Sequence, residues 1–423
     1  MELKLKYGND IISCRPPDHI RSSILEPPDN APVSSLQKAL ISSINNPVDD
    51  GPLSAMIKPE MRITIVVPDK TRQCILDRIL PVLIDYINQN GTSPENITIL
   101  FANGTHQPQT EHEMETILGS SIWNTLRVEQ HNAQDNDSME YVTTTSRGTE
   151  IFVNKLVTNA DLVITVGGIL HHYFAGFGGG PKLLVPGVAA YNTAKQNHSY
   201  TIDETGAFHA GCRDGNLDTN PVYNDIAEAV RSIPNVFSIN VVLDASNRTA
   251  GFFSGNCISS HRKGTVLAAA LYEVPIKELA DIVIVSPGGA PRDSTFIQSH
   301  KAIHHAYHAV KPGGSIIAAA ACYDGIGSST FLNWFTVPFQ ELGSELIKAY
   351  SLNGHTALSL RTKLERTGVT LLSELDDAIV SRMGIIPAAS IEPALESITR
   401  NIAGSPLLHI LPHGSLTVPI LQD

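Results

Sequence analysis

The sequence predicts an α/β protein of two domains, each a mainly parallel or mixed sheet flanked by helices, with the active site in the inter-domain cleft. Three observations predict it. Several short, continuous apolar runs rich in β-branched residues end abruptly in small or polar residues, the pattern of strands buried on both faces. Helix-like stretches lie between these runs, and strand and helix in alternation require crossovers and so a parallel sheet. The chain has 423 residues, enough at roughly 150 residues per domain for more than one core.

The elements follow in order. Residues 1–10, MELKLKYGND, alternate apolar and charged side chains like a strand and lack the apolar stretch of a signal peptide. Residues 9–60 are rich in Pro, Ser and Asp and are expected to wrap the surface. Arg62 to Val67 is the first buried strand. Gln73 to Gln89 is a helix, because Ile75, Leu76, Ile79, Leu80, Leu83 and Ile84 fall at helical spacing. Asn96 to Ala102 is the next strand, and the polar stretch from Gly119 to Thr149 holds an excursion with a short strand at Tyr141 to Thr145. Leu162 to Val166 and Val236 to Leu243 complete the first series. The helix-like Gly264 to Tyr272 and the Val274-Pro275 break then mark a boundary, giving an N-terminal domain over 1–272 and a C-terminal domain over 273–405. The latter carries strands at Ile282 to Ser286, Ser315 to Ala321 and Val369 to Ser373. Residues 406–423 read as one more strand with turns, returning to the N-terminal domain.

Composition narrows the function. Hydrophobic residues are 42% and charged residues 17% of the chain, as in ordinary folded proteins. The 30 Lys and Arg against 42 Asp and Glu give a net charge of −12, which disfavours nucleic acid as a main partner. The longest apolar runs, such as Ile316 to Cys322, are far short of the ~20 residues a membrane helix needs. The five cysteines are odd in number and form no CxxC, so neither a disulfide framework nor a cysteine zinc site is indicated and a cytoplasmic location is expected. The 16 histidines are a high share beside 30 Lys and Arg, and histidine is the residue of proton transfer and metal ligation near neutral pH.

In open α/β sheets, ligands collect beyond the carboxyl ends of strands, so residues directly after each strand carry most weight. The first strand runs into Pro68-Asp69-Lys70-Thr71-Arg72, where Asp69 or Thr71 is placed to cap the next helix and Arg72 to clamp an anion. The second runs into Asn103-Gly104-Thr105-His106, a tight turn holding an imidazole at the same edge. The third runs into residues 167–182, GGILHHYFAGFGGGPK, which puts His171, His172, the glycines Gly178, Gly179 and Gly180, and Lys182 close together, followed by His198. Consecutive glycines leave backbone N–H groups able to approach a phosphate, although the P-loop spacing is absent. In the second half, Ile282 to Ser286 runs into residues 287–293, PGGAPRD, followed by Gln298 and Lys301. Other signals fail: residues 112–116, HEMET, lack the second histidine of HExxH. His304 and His308, at i and i+4, have no third ligand nearby in sequence and are expected on the surface with His305. Neither GxSxG nor a Cys–His arrangement occurs, so a covalent hydrolase is not supported.

Across nearly its whole length the chain resembles the nickel-pincer-nucleotide-dependent lactate racemase family. The resemblance lies in DKTR at 69–72, NGTH at 103–106, HHYFAGFGGGPKLLVPG at 171–187, NH at 197–198, GNLDTNPV at 215–222, SPGGAPRD at 286–293 with Gln298 and Lys301, and LPHGSLTVP at 411–419. It implies a cofactor in which a sulfur–carbon–sulfur pincer on a pyridinium mononucleotide holds nickel, tethered to the lysine matched by Lys182. It implies that His198 binds the nickel and that His106 and His172, on opposite faces of the substrate, are the acid/base pair. Spacing to Lys182 favours His172 over His171. Arg72 would position substrate, Gln298 and Lys301 would close over it, and Asp69, Thr71 and Gly178 to Gly180 would contact the cofactor, the glycines at its phosphate.

The implied reaction inverts C2 of lactate or a related 2-hydroxy acid. That C–H is a weak acid beside a carboxylate, so removal of hydride is the easier route, with one histidine taking the hydroxyl proton and the other serving the opposite enantiomer. The partners implied are a small 2-hydroxy acid and cofactor maturation proteins. Two alternatives stay open at this point: an epimerase of a larger hydroxy or sugar acid, and a non-catalytic nickel or nucleotide carrier.

Overall fold

The computed structural model describes residues 2–72, 74–400, 402 and 404–422, and the chain divides into two compact units. Gln73, the first residue of the expected helix, lies outside the described residues. One unit comprises residues 29–200 and 210–270, and the other residues 1–28, 201–209 and 271–423. The chain opens with strands β1 (Leu3–Tyr7) and β2 (Asp10–Cys14), an antiparallel hairpin, and β3 (Arg21–Ile24).

The first unit is built on a six-stranded sheet. Its strands are β4 (Ile63–Pro68), β5 (Ile97–Ala102), β6 (Arg127–Gln130), β9 (Leu162–Gly168), β12 (Val236–Leu243) and β13 (Thr249–Gly255), in the order β13-β12-β9-β4-β5-β6. All neighbours are parallel except β12 and β13. A hairpin of β7 (Met139–Thr144) and β8 (Glu150–Asn154) and a two-residue pair of β10 (His171–His172) with β11 (Gly176–Phe177) complete it. Strand β4 is buried along its whole length, as its unbroken apolar sequence requires. From β4 the chain winds outward to β5 and β6, whereas β9 and β12 wind the other way. The winding therefore reverses between β4 and β9, the place where open α/β sheets form a crevice at the carboxyl edge.

Helix α1 (Leu76–Gln89) covers this sheet, burying Leu76, Ile79, Leu80, Leu83, Ile84 and Ile87 on one stripe. Neither Asp69 nor Thr71 caps it; its N-cap position is Ile75, with no side-chain cap bond. Residues 9–60 do not merely wrap the surface. Leu40 and Ile44 of the helix Leu36–Asn45 are fully buried in the sheet's core, each contributing roughly 1.5–3 kcal/mol.

The second unit carries β14 (Glu273–Ile276), β15 (Ala280–Val285), β16 (Val310–Ala319), β17 (Gly368–Leu372), β18 (Ile386–Ala388), β19 (Leu407–Leu411) and β20 (Val418–Leu421). Its main sheet is all parallel in the order β18-β17-β16-β15-β19-β3. This corrects the expected course of both termini. The tail does not return to the sheet of β4: β19 pairs with β15 and β3, and β20 pairs with β14. The physical reason is that β19 is buried at every position and needs a neighbour on each side. His304 and His305 are also corrected. Both are buried, because the helix carrying them (Phe296–Tyr307) lies with most of its residues inside the unit. Among the described residues no helix is long and apolar enough to cross a membrane.

Candidate active site

In the first unit the candidates Asp69, Thr71, Arg72 and His106 follow the carboxyl ends of β4 and β5, and His171 and His172 follow that of β9, astride the winding reversal. After β4, Asp69 is buried and accepts from both the backbone N–H and the hydroxyl of Thr71, at 3.1 and 2.7 Å. Arg72 donates from Nη1 to the Thr71 hydroxyl at 3.1 Å. After β5, the turn at Asn103 is closed by the His106 N–H donating to the Asn103 carbonyl at 2.9 Å. That turn brings His106 Nδ1 to 2.5 Å from Asp69 Oδ2. Burial alone would raise the Asp69 carboxyl, but the charge of and bond from His106, with Arg72 and Thr71, hold it well below the usual carboxylate range. A carboxylate at Nδ1 requires that nitrogen to donate. Neutral His106 therefore carries its proton on Nδ1 and a lone pair on Nε2.

His172 is arranged in the opposite sense. The Ala175 N–H donates to His172 Nδ1 at 3.4 Å, so the proton of a neutral ring resides on Nε2. The structure also distinguishes the two adjacent histidines. His171 packs on Phe177, with ring centroids 4.5 Å apart, whereas His172 packs edge to face on Phe174 at 4.5 Å.

Phe174 gathers the remaining candidates. The Lys182 amine stands 4.9 Å from its ring centroid, and the His198 ring meets it edge to face at 4.9 Å. Burial of the amine, reinforced by the like charge of Arg72, holds Lys182 well below the usual lysine range. The same interaction ties the Asp69–Arg72–His106 group to the group around Phe174. Phe174 is itself fixed from the GNLDTNPV segment, where Asn220 Nδ2 donates to the Phe174 carbonyl at 2.8 Å. Asn220 also caps α3 (Pro221–Arg231), accepting from the Tyr223 N–H, with Pro221 at the first helical position. His198 lies near the end of α2 (Tyr191–Ser199), which Thr193 pins to β8 by donating to the Glu150 carbonyl and accepting from the Phe152 N–H.

The glycines between His172 and Lys182 are packed closely against the protein. A Cβ on Gly179 would lie 2.5 Å from the Gly168 carbonyl oxygen, and one on Gly180, at φ +51°, 2.5 Å from the His261 ring. His261, on α4 (Cys257–Tyr272), donates from Nε2 to the Gly178 carbonyl at 3.0 Å, and burial pushes its pKa down to about 4. Close approach of backbone to backbone and to this ring therefore explains the small residues at 179 and 180.

The remaining candidates lie in the second unit. On α5 (Phe296–Tyr307), Lys301 donates from Nζ to Gln298 Oε1 at 2.5 Å, and Thr295 caps the helix by accepting from the Gln298 N–H. Glu113 of residues 112–116 completes a capping box with Thr110 and an ion pair with Lys70 at 2.5 Å, a structural use of that segment. Sequence reasoning took Asn220 only as part of the GNLDTNPV segment and passed over Asp225 and His261. Asparagine before proline at 220–221 was the available signal for the first; the other two have no local signature.

The chain also matches known proteins. Residues 7–210 match the family model for the lactate racemase N-terminal domain and residues 276–418 that for the lactate racemase C-terminal domain. The lactate racemase of Thermoanaerobacterium thermosaccharolyticum is 31% identical over 335 residues, covering 79% of this chain and 77% of the relative. That of Lactiplantibacillus plantarum is 34% identical over 298 residues, covering 70% and 69%. Among solved structures, the lactate racemase apoprotein of T. thermosaccharolyticum superposes with a TM-score of 0.87 at 27% identity over 100% of both chains. A protein from Thermotoga maritima shares the fold, with a TM-score of 0.71 at 17% identity over 91% of this chain and 98% of that one.

Proposed function

The chain belongs to the lactate racemase family, a family of isomerases, and from that premise we propose that it inverts C2 of lactate or a closely related 2-hydroxy acid, with His106 and His172 as the acid/base pair. The observation that carries this reading is the opposite tautomer of the two rings. His106, with Nδ1–H on Asp69, offers a lone pair at Nε2, while His172, with Nδ1 accepting from Ala175, offers a proton at Nε2. One ring is set to accept the hydroxyl proton of one enantiomer while the other is set to donate a hydrogen bond to the substrate oxygen from the opposite face. Arg72, forked and held by Thr71, is suited to clamp the carboxylate so that the planar intermediate turns in place.

The residues present fit a nickel-pincer nucleotide. Lys182, an amine whose charged form is disfavoured by burial and by Arg72, is a nucleophile suited to a covalent tether, and His198 on the same Phe174 ring is suited to ligate nickel through nitrogen. Such a group, when bound, supplies acceptance and return of hydride at the carbinol carbon. Asp69 and Thr71 bear on it through His106 and Arg72. Gly178 to Gly180 keep the segment before Lys182 close to β9, and we retain them as the place for the nucleotide phosphate. Gln298 and Lys301 are kept as substrate contacts on the resemblance alone. Maturation proteins are then required partners. The five buried thiols suit a reducing compartment, and we place the chain in the cytoplasm.

The test is racemisation of each lactate enantiomer by protein produced with the cofactor-making machinery. His106→Ala is expected to lose at least roughly a hundredfold in rate. Full racemisation by this variant would overturn the assignment.

A further inference from the structure

A buried carboxylate that the reaction does not use lies behind the helix of His198. Asp225, on α3, is 1% exposed and accepts at Oδ1 from the Thr145 hydroxyl at 2.5 Å and at both oxygens from the direction of Thr149, at 3.1 and 2.9 Å. The Thr145 hydroxyl is oriented for this, since it accepts in turn from the Thr149 N–H at 3.1 Å. At Oδ2, Asp225 faces Asn197 Nδ2 at 2.8 Å. Asn197 is fully buried, and the same nitrogen lies 3.1 Å from the Val222 carbonyl oxygen.

These two neighbours decide which way the Asn197 amide points. A backbone carbonyl is an acceptor only, as is a carboxylate that already takes threonine hydroxyls, so the group facing both must be the NH2. The amide oxygen is thereby turned the other way, to 3.2 Å from Nδ1 of His198. An amide oxygen cannot donate, and a neutral imidazole satisfies it only by carrying its proton on Nδ1.

We propose that Asp225 and Asn197 are positioning residues that place the proton of His198 on Nδ1 and so present its Nε2 lone pair to a metal. The inference rests on the reading of His198 as the nickel ligand and extends it to residues outside the site motifs. Its logic is general: a histidine ligand must be deprotonated at the ligating nitrogen, and a bond to the other nitrogen chooses the tautomer and holds the ring plane. The tether runs from the β7–β8 turn through α3 to α2, so three elements of one unit fix one imidazole nitrogen.

The experiment has two readouts. In cofactor-free full-length protein with ¹⁵N-labelled histidine, a long-range ¹H–¹⁵N spectrum at a pH where the rings are neutral reports each tautomer, with His198 assigned by its loss in His198→Gln. The wild type is expected to show His198 with its proton on Nδ1, and Asn197→Ala to shift it toward the Nε2–H form. Asp225→Ala should do the same, while Asp225→Asn, whose amide oxygen can still accept from Asn197, should restore the Nδ1–H form. If Asp225→Ala does not fold, Asn197→Ala alone decides. In nickel-loaded protein challenged with EDTA, Asn197→Ala is expected to release nickel about tenfold faster. An Nε2–H ring in the wild type, a tautomer unchanged in Asn197→Ala, or nickel release equal to wild type would each overturn the proposal. Undiminished nickel retention by His198→Ala would instead overturn the assignment of the ligand, and is told apart because the tautomer readout needs no metal.

Discussion

Asp69 and His106 come from the ends of adjacent parallel strands, and the carboxylate oxygen lies 2.5 Å from the imidazole Nδ1, with the Asp69 side chain 5% and the His106 side chain 39% exposed. The buried partner orients the one that faces outward. Asp69→Asn keeps the shape and loses the charge, and its amide can face His106 with NH2 as readily as with oxygen. Steady-state kinetics of the loaded variant should show kcat reduced by roughly a hundredfold, with KM within about threefold, since the lost interaction acts on proton transfer. A change confined to KM would contradict this placement.

Lys182 is expected to shed its proton at a lower pH than an exposed lysine does. Competitive acylation of cofactor-free protein across pH, read by peptide mass spectrometry, should place its titration well below that of surface lysines. Burial is the larger cause and the Arg72 charge the second, so Arg72→Gln should move the titration upward without restoring the usual value.

The glycines before Lys182 separate two causes. Gly180→Ala puts a methyl 2.5 Å from the His261 ring at φ +51°, and a loss of roughly 1–3 kcal/mol is expected from urea unfolding. Gly178→Ala meets only the Leu170 carbonyl oxygen, at 3.7 Å, and should cost much less. Equal losses at the two positions would refute the packing argument.

Buried histidines set an acid limit, His300, held well below its ordinary value by burial, among them. Burial lowers both His131 and His261 from 6.5 to about 4. The unfolded chain then binds more protons than the folded one between these values, so stability is full above pH 6.5 and falls as the pH drops toward 4, by roughly 3 kcal/mol for each ring. Denaturant midpoints measured from pH 7 to 4 should fall accordingly. His131→Gln should flatten part of the slope.

Much of this was legible in the sequence wherever the physics is local. The apolar runs at 63–68, 97–102 and 236–243 are strands because nothing else buries so continuous a stretch, and the carboxyl ends of the first two hold Asp69, Arg72 and His106 as strand ends do in parallel sheets. Strand β6 was missed because RVEQ is a partly exposed edge strand with no apolar run to reveal it. The pairing of β3 with β19 joins residues nearly 390 positions apart, as Ser23 and His409 illustrate, and leaves no local pattern. Asp225 looks like any polar residue of an amphipathic helix until the fold sets it against Asn197.

The central claim is that His106 and His172 are both required, each presenting Nε2 in the opposite protonation state. Racemisation of D- and L-lactate by nickel-loaded His106→Ala and His172→Ala, followed by chiral chromatography, tests it most directly. The expected result is a loss of at least roughly a hundredfold for each variant from either enantiomer, with nickel content unchanged. Wild-type racemisation by either variant would contradict it.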